Sequence, residues 1–364
     1  MSEILSPASS LDLDEYASQV RDFWREFQSQ SNRPKLVFGR NVYGPSLLEH
    51  SQIDAFIDDF TTQDSFCDRP VIRSSDIPKS AMVIIASGGR PLTVRKQLRD
   101  IGVQHADYFG LQRWSGAGLK EIVFNEGFPE EFAANQDRFE KVYRLLADEI
   151  SRDAFRKIVS FRLYGDLRMI EGFVDRQKQQ YFEEFLSLRT KGEVFYDVGG
   201  FDGETSWCFA QKCPEYRSIH IFEPEQQNLA ACRLKLQSLR DIHIHRHGLS
   251  DRKGSAAFRV DGSASGISSD GDIVIPLERL DDLGLDAPTF IKMDIEGAEL
   301  PALAGGRQTI VKHRPRLAIA AYHSASDLWR IPELILDMDA RYKIHMRHYT
   351  ESIYETVLFF TQES

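Results

Sequence analysis

One stretch, Glu193-Val-Phe-Tyr-Asp197-Val-Gly199-Gly200-Phe201-Asp202-Gly203-Glu204-Thr205, limits what this chain can fold into more than any other. An apolar run of strand length ends in an acid and opens into a glycine-rich turn. Open α/β sheets build nucleotide pockets in this way, outside the carboxyl ends of their strands. A second apolar run, Phe290-Ile-Lys292-Met-Asp294-Ile-Glu296-Gly297-Ala-Glu299-Leu300, brings carboxylates to what should be the same edge. The pair predicts a cofactor pocket with reaction groups beside it.

Further strands are expected at Ser218–Phe222, Ile242–Arg246 and Arg316–Tyr322, flanking Val194–Val198 and Phe290–Ile295. Tyr342–His348 and Glu355–Thr361 read as a terminal hairpin joined by a short polar turn, which makes an otherwise parallel sheet mixed at one edge. Upstream, Lys35–Gly39, Ile53–Ile57 and Ala81–Ala86 alternate with helical patterns and predict a smaller Rossmann-like unit. Tyr16, Val20, Phe23, Trp24 and Phe27 share one helical face, and 128–190 is expected to be mostly helical. The expected division is an N-terminal helix at 1–32, a small Rossmann-like domain at 33–115, a helical connecting or lid segment at 116–190, and an α/β domain at 191–364.

A chain of 364 residues exceeds one ordinary domain. Its net charge of −10 argues against a general grip on nucleic acid. Cys67, Cys208, Cys213 and Cys232 form no Cys-x-x-Cys pair, so reduced thiols are expected. The polar start lacks a signal pattern, and no apolar run is long enough to span a bilayer. A cytoplasmic protein without membrane or nucleic-acid partners is expected; a homo-oligomer is left open.

At the first turn an acid precedes the first glycine. A dinucleotide site wants an open helix N-terminus for pyrophosphate. S-adenosylmethionine instead offers a sulfonium, an ammonium and a ribose diol, and an acidic turn suits it. Asp197, with Asp202 or Glu204, is expected to meet the ammonium. Glu223, in Ile219-His-Ile-Phe-Glu223-Pro224, ends the next strand where a ribose-binding acid belongs. Leu249 and Ser250 are expected to edge the adenine. Gly199, Gly200, Phe201, Gly203, Thr205, Pro224 and Asp294 complete the expected cofactor set.

On the reaction side, Asp294 and Glu296 end one strand and Tyr322-His323 ends its neighbour. Methyl transfer to a hydroxyl needs orientation and a base. His323 is the expected base, with Asp294 and Glu296 as its catalytic partners. Asp294 could also help hold a divalent ion, but no metal ligand is assigned. Lys292 is expected to pair with a carboxylate, and Glu299 to start a helix, where an acid suits the dipole. His243, His245 and His247 alternate on one strand face and read as an outer polar face. Arg347, His348 and Tyr349 either border the acceptor or lie at the surface.

From residue 193 to about 360 the chain resembles the FkbM-type S-adenosylmethionine-dependent methyltransferases. The resemblance rests on Asp197-Val-Gly-Gly-Phe-Asp-Gly203, Phe222-Glu-Pro-Glu225, Gly248-Leu-Ser-Asp251, Leu277-Glu-Arg-Leu-Asp281, Ile291-Lys-Met-Asp-Ile-Glu-Gly-Ala-Glu-Leu-Pro-Ala-Leu-Ala-Gly-Gly306 and Arg314-Pro-Arg316. It implies a class I methyltransferase sheet and O-methylation of a sugar, glycan or secondary-metabolite hydroxyl. Asp197, Gly199, Gly203 and Glu223 match the family's cofactor positions; Gly200 stands where the family commonly has alanine. Asp148-Glu-Ile-Ser151, Tyr181-Phe182, Tyr322-His323 and Arg347-His-Tyr349 resemble one branch, which extends the likeness back to about residue 128. The unit at 33–112 resembles nucleotide-binding domains beside sugar-modifying enzymes, but Gly39-Arg-Asn-Val-Tyr-Gly44 lacks the middle glycine. The rival readings are an NAD(P)-dependent sugar-modifying oxidoreductase and a non-catalytic nucleotide-binding protein.

Overall fold

The computed structural model describes residues 3–5, 11–260, 266–267 and 271–362. They form two compact units. The first is Met1–Ala134, Asp153–Gln177 and His348–Tyr354; the second is Asn135–Arg152, Lys178–Arg347 and Glu355–Ser364. The helix Phe128–Leu145 loses helical geometry at Asn135, where the division falls.

The first unit is built on β1 (Lys35–Phe38), β2 (Ala55–Ile57), β3 (Ser65–Phe66), β4 (Arg69–Ile72), β5 (Met82–Ile85) and β6 (Gln104–Asp107), in the order β3-β4-β2-β1-β5-β6. All neighbours are parallel except β3 and β4. Strand alternation splits the apolar residues between two faces. Val37, Phe56 and Ile84 pack with Val20, Phe23, Trp24 and Phe27 of the helix Leu13–Gln28. Leu36, Ile57 and Val83 pack with Val94 and Leu98 of the helix Pro91–Ile101. Asp12 caps the first of these helices by accepting from the Glu15 backbone at 2.8 Å.

Within 128–190 the chain is mostly helical: the helices Phe128–Leu145 and Glu149–Tyr164 are followed by short 3-10 turns at Leu167–Ile170, Gln177–Gln179 and Glu184–Leu186. Gly165 ends the helix with φ +64°, and a Cβ there would press on the Phe109 carbonyl. The chain between the last two strands, which includes Thr350, Glu351 and Ser352, is buried from Tyr349 through Ile353. The Glu351 carboxylate accepts from the Thr93 backbone at 2.7 Å and its hydroxyl at 2.5 Å. It thereby satisfies orphan donors in the first turn of the helix Pro91–Ile101.

The second unit carries β7 (Val194–Val198), β8 (Ser218–Phe222), β9 (Ile242–His245), β14 (Phe290–Met293), β15 (Arg316–Ala320), β16 (Lys343–His348) and β17 (Thr356–Thr361), in the order β16-β17-β15-β14-β7-β8-β9. β15, β14, β7, β8 and β9 are parallel, and β17 runs antiparallel to β15. Phe195 stacks on Phe209 at 4.4 Å and on Phe290 at 5.2 Å, all buried; each such side chain contributes about 2–3 kcal/mol. A small second sheet was not foreseen: β10 (Gly248–Leu249), β11 (Gly254–Arg259), β12 (Gly266–Ile267) and β13 (Ile273–Glu278), ordered β10-β13-β11-β12. Among the described residues its core is Phe258, Ile275 and Leu277, with Ala256 against it. Among the described residues no helix is long and apolar enough to cross a membrane.

Candidate active site

The glycine turn leaves β7 and lies against the end of β14. Gly199 has φ +79°, and a Cβ on it would run into the Asp294 carbonyl oxygen. A Cβ on Gly200 would run into the Ile221 side chain, and Gly203 has φ +86°. These glycines are therefore needed for close packing of backbone on neighbouring strands as well as for any ligand. The two sequence motifs meet at Gly199 and Asp294.

Asp197 lies under this turn, fully buried, not facing open space. Its Oδ2 accepts from the Ser206 hydroxyl at 2.7 Å, and its Oδ1 is 3.2 Å from Lys292 Nζ. Lys292 also donates to the Gly199 carbonyl at 2.5 Å. Burial alone would lower the ammonium's pKa; Asp197 and then Asp294 outweigh it and raise it. Asp202 and Glu204 both pair with Lys235, at 2.6 and 2.7 Å. The acids expected to meet an ammonium thus already hold cations of the chain.

Glu223 ends β8 and is nearly buried. Its carboxylate accepts from the backbone of Phe201 and of Glu225, each at 2.9 Å. Burial raises its pKa, with those N–H groups opposing. Phe201 is exposed and left-handed, at φ +45°. Thr205 is half-buried in the helix Glu204–Lys212, and Pro224 is half-buried after Glu223. Leu249 and Ser250 are buried beside the small sheet, where the Ser250 backbone donates to the Glu278 carbonyl at 2.9 Å.

The reaction side gathers more groups than expected. Asp294 and Glu296 follow β14, and Glu299 opens the helix Glu299–Gly305. Tyr322 and His323 follow β15. His323 Nδ1 lies 3.0 Å from Glu299 Oε1, and its Nε2 lies 3.5 Å from both Asp294 Oδ1 and Glu296 Oε2. Glu299 Oε1 also accepts from the Ile295 backbone at 2.9 Å, so this acid closes the turn before its helix and holds the imidazole too. The Tyr181 hydroxyl donates to Asp294 Oδ2 at 2.6 Å, with its ring 5.3 Å from Lys292 Nζ. Glu355 accepts from Gln180 at 2.5 Å and from the Tyr322 hydroxyl at 3.4 Å.

Burial alone would make His323 less basic. Glu299 first, then Asp294 and Glu296, reverse this and push it up to about 10. The expected base is therefore a protonated imidazolium at neutral pH. Burial pushes Glu296 up to about 8 despite the His323 charge, and pushes Glu355 up to about 7 with Asp294 adding to it. Tyr181, Glu296 and Glu355 all have left-handed backbones, at φ +71°, +54° and +63°. Such strain in side-chain-bearing residues collects at working sites. Asp294, Glu299 and His323 also present ligand-type atoms within 4.8 Å of one another.

Sequence reasoning missed Gln180 and Glu355, which no local pattern marks, and gave Glu299 only its helix role. His220 stacks with His243 at 4.7 Å and with His245 at 5.3 Å, and burial pushes His220 and His245 down to about 4. Arg347 is buried and grips Asp148 at 2.9 and 3.1 Å and the Ser151 hydroxyl at 2.9 Å. It acts as a clamp on the start of the helix Glu149–Tyr164. His348 stacks on Phe173 at 4.5 Å, and Arg176 lies 4.6 Å over the Tyr349 ring; both are buried.

The methyltransferase FkbM domain model matches residues 197–349, which takes in both halves of this site. A curated relative, the 2-O-methyltransferase NoeI of Sinorhizobium fredii, is 31% identical over 36% of this chain and 65% of its own length. The chain thus spans less than two thirds of the length of this relative. The crystal structure of Methyltransferase FkbM from Methylobacillus flagellatus KT shares the fold, with a TM-score of 0.74 at 22% identity, covering 99% of this chain and 100% of that one. The stretch at 197–349 is thus similar to the methyltransferase FkbM domain.

Proposed function

We propose that the chain is an S-adenosylmethionine-dependent O-methyltransferase acting on a hydroxyl of a sugar, glycan or secondary metabolite. One observation carries the reading: the acid-lined glycine turn after β7 packs directly on the strand end that bears Asp294, beside Glu296, Glu299 and His323. The donor set around the turn suits the group. Asp197, Asp202, Glu204 and Glu223 are all acids, and the neighbouring cations Lys235 and Lys292 are already paired. Such a turn favours a cationic nucleoside over a pyrophosphate. Glu223, Phe201 and the turn backbone would hold it, with Leu249, Ser250 and Pro224 at its edge. Bound there, S-adenosylmethionine would supply an electrophilic methyl group on a cationic sulfur, which leaves as the neutral thioether.

The remaining work falls to the chain's own residues. Asp294, fixed by Tyr181, orients the acceptor hydroxyl. Glu296, with a pKa near the working pH, is matched to taking the hydroxyl proton. His323 supplies positive charge beside the oxygen as its own charge builds. The name of the NoeI relative, a 2-O-methyltransferase, favours oxygen as the acceptor atom. Titration calorimetry with S-adenosylmethionine, followed by a panel of hydroxylated saccharides scored for S-adenosylhomocysteine release, tests the reading. Binding together with release on at least one hydroxyl acceptor is expected; no cofactor binding overturns it.

A further inference from the structure

The geometry points to a divalent cation site formed by Asp294, Glu299 and His323, with Glu296 on its flank. It stands on the cluster itself and does not depend on methyl transfer. Ligands about 2.1 Å from a common ion lie roughly 3–3.5 Å from one another. The imidazole meets Glu299 through Nδ1 at 3.0 Å, and Asp294 and Glu296 through Nε2 at 3.5 Å each. Taking one ligand atom from each of Asp294, Glu299 and His323, all lie within 4.8 Å of one another, so side-chain rotations of about an ångström would bring them around one ion.

The charge balance argues the same way. Asp294 and Glu299 face one imidazole with Glu296 beside them, so even a protonated imidazole sets one positive charge against two carboxylates, and a further cation would be favoured there. Glu299 is 1% exposed, its helix-capping bond uses only Oε1, and Oε2 carries no hydrogen bond among the described residues. Asp294 Oδ1 and Glu296 Oε2 are likewise buried without one. Oxygens left this way in a site already rich in structure are costly. An ion among Asp294, Glu299 and His323 would give these carboxylates a charged partner.

The framework is also held in advance. Tyr181 fixes Asp294 through its other oxygen, and the Ile295 backbone fixes Glu299. Supporting bonds of this kind orient metal ligands. One imidazole among carboxylates suits a first-row ion such as Mn2+ better than calcium, which prefers an all-oxygen shell, or a thiolate-seeking metal. Binding displaces the proton from the imidazole into solvent.

The test uses the full chain, stripped with EDTA and titrated with Mn2+ alone, without S-adenosylmethionine. One saturable Mn2+ site is expected by calorimetry. Pulsed electron paramagnetic resonance of the bound ion should show coupling to an imidazole nitrogen. His323→Ala should abolish that coupling, and both it and the near-isosteric Glu299→Gln should weaken Mn2+ binding at least roughly tenfold. Circular dichroism melts in EDTA identify the variants that remain folded, and Glu299→Gln keeps the volume of the site. Absence of a saturable site, absence of nitrogen coupling, or unchanged Mn2+ affinity in folded Glu299→Gln overturns the proposal. Because cofactor and acceptor are left out, failure here is separate from failure of the methyltransferase reading.

Discussion

Lys292 Nζ lies 3.2 Å from Asp197 Oδ1, and both side chains are almost fully buried. The pair ties the glycine turn after β7 to β14, since the same ammonium donates to the Gly199 carbonyl. Removing one partner of a buried pair leaves an uncompensated charge, at a cost of about 3–5 kcal/mol. Lys292→Met should lose stability of that order in urea unfolding at pH 7, and the double change with Asp197→Asn should recover part of it. A loss below about 1 kcal/mol would show that the charge is not stranded.

Gly199→Ala is expected to be severe for two independent reasons. The position has φ +79°, and the new methyl meets the Asp294 carbonyl oxygen, which belongs to backbone and cannot swing aside. Overpacking and a left-handed alanine together should cost about 3 kcal/mol or more. The turn can relieve the clash only by moving away from β14, so cofactor affinity should fall along with the melting temperature. A variant with wild-type melting and binding contradicts the packing described here.

Acid stability should depend on Glu193. Burial would raise this carboxyl, but Arg316, Thr289 and the Arg189 backbone overcome it and hold it down at about 2, against an ordinary 4.5. Arg316 donates to Glu193 at 2.5 Å. A depressed carboxyl stabilises the fold above its unfolded pKa, and that contribution disappears as pH falls through 4.5 toward 2. Arg316→Met should therefore be clearly less stable than wild type at pH 7, with the gap narrowing below about pH 4. Parallel stability curves across that range would rule the linkage out.

Glu223→Ala should weaken S-adenosylmethionine binding by roughly tenfold or more, about 1.4 kcal/mol. The carboxylate both accepts from Phe201, which shapes the turn, and ends β8 where a ribose would lie. Glu223→Gln separates the two contributions, because the amide oxygen can still accept from Phe201. Calorimetry with unchanged affinity in both variants removes Glu223 from the cofactor site.

The sheet was legible because strand and function coincide in it. Val194–Val198 and Phe290–Met293 are buried on both faces, so they read as continuous apolar runs, and the residues that follow them carry the chemistry. Alternation along β14 placed Lys292 with Asp294 and suggested a carboxylate partner, but the ion pair is made with Asp197, its neighbour across to β7. What escaped reading was whatever depends on residues far apart in sequence. Tyr181 and Asp294 are separated by 113 positions yet share a hydrogen bond. Gln180 and Glu355 are 175 apart and meet the same way. Glu299 has a sufficient local reason to be acidic at a helix start, which hid its contact with His323. The protonation state of His323 could not be read at all, since a histidine at a strand end shows nothing of three carboxylates folded around it.

His323→Ala gathers these points into one measurement. The side chain is almost inaccessible and contacts Glu299, Asp294 and Glu296, while the expected cofactor contacts lie along the turn after β7 and the end of β8. Turnover should fall about a hundredfold, the usual effect of removing a group that manages charge at the reacting atom. S-adenosylmethionine affinity should stay within about threefold, because the turn is held through Glu223, Lys235 and Lys292, away from the imidazole's contacts with Glu299, Asp294 and Glu296. His323→Gln, which keeps one hydrogen bond but no positive charge, should remain as slow as His323→Ala if charge is what matters. Recovery in the glutamine variant would instead make His323 a spacer that holds Glu299 in position, and wild-type turnover in both would remove it from the reaction.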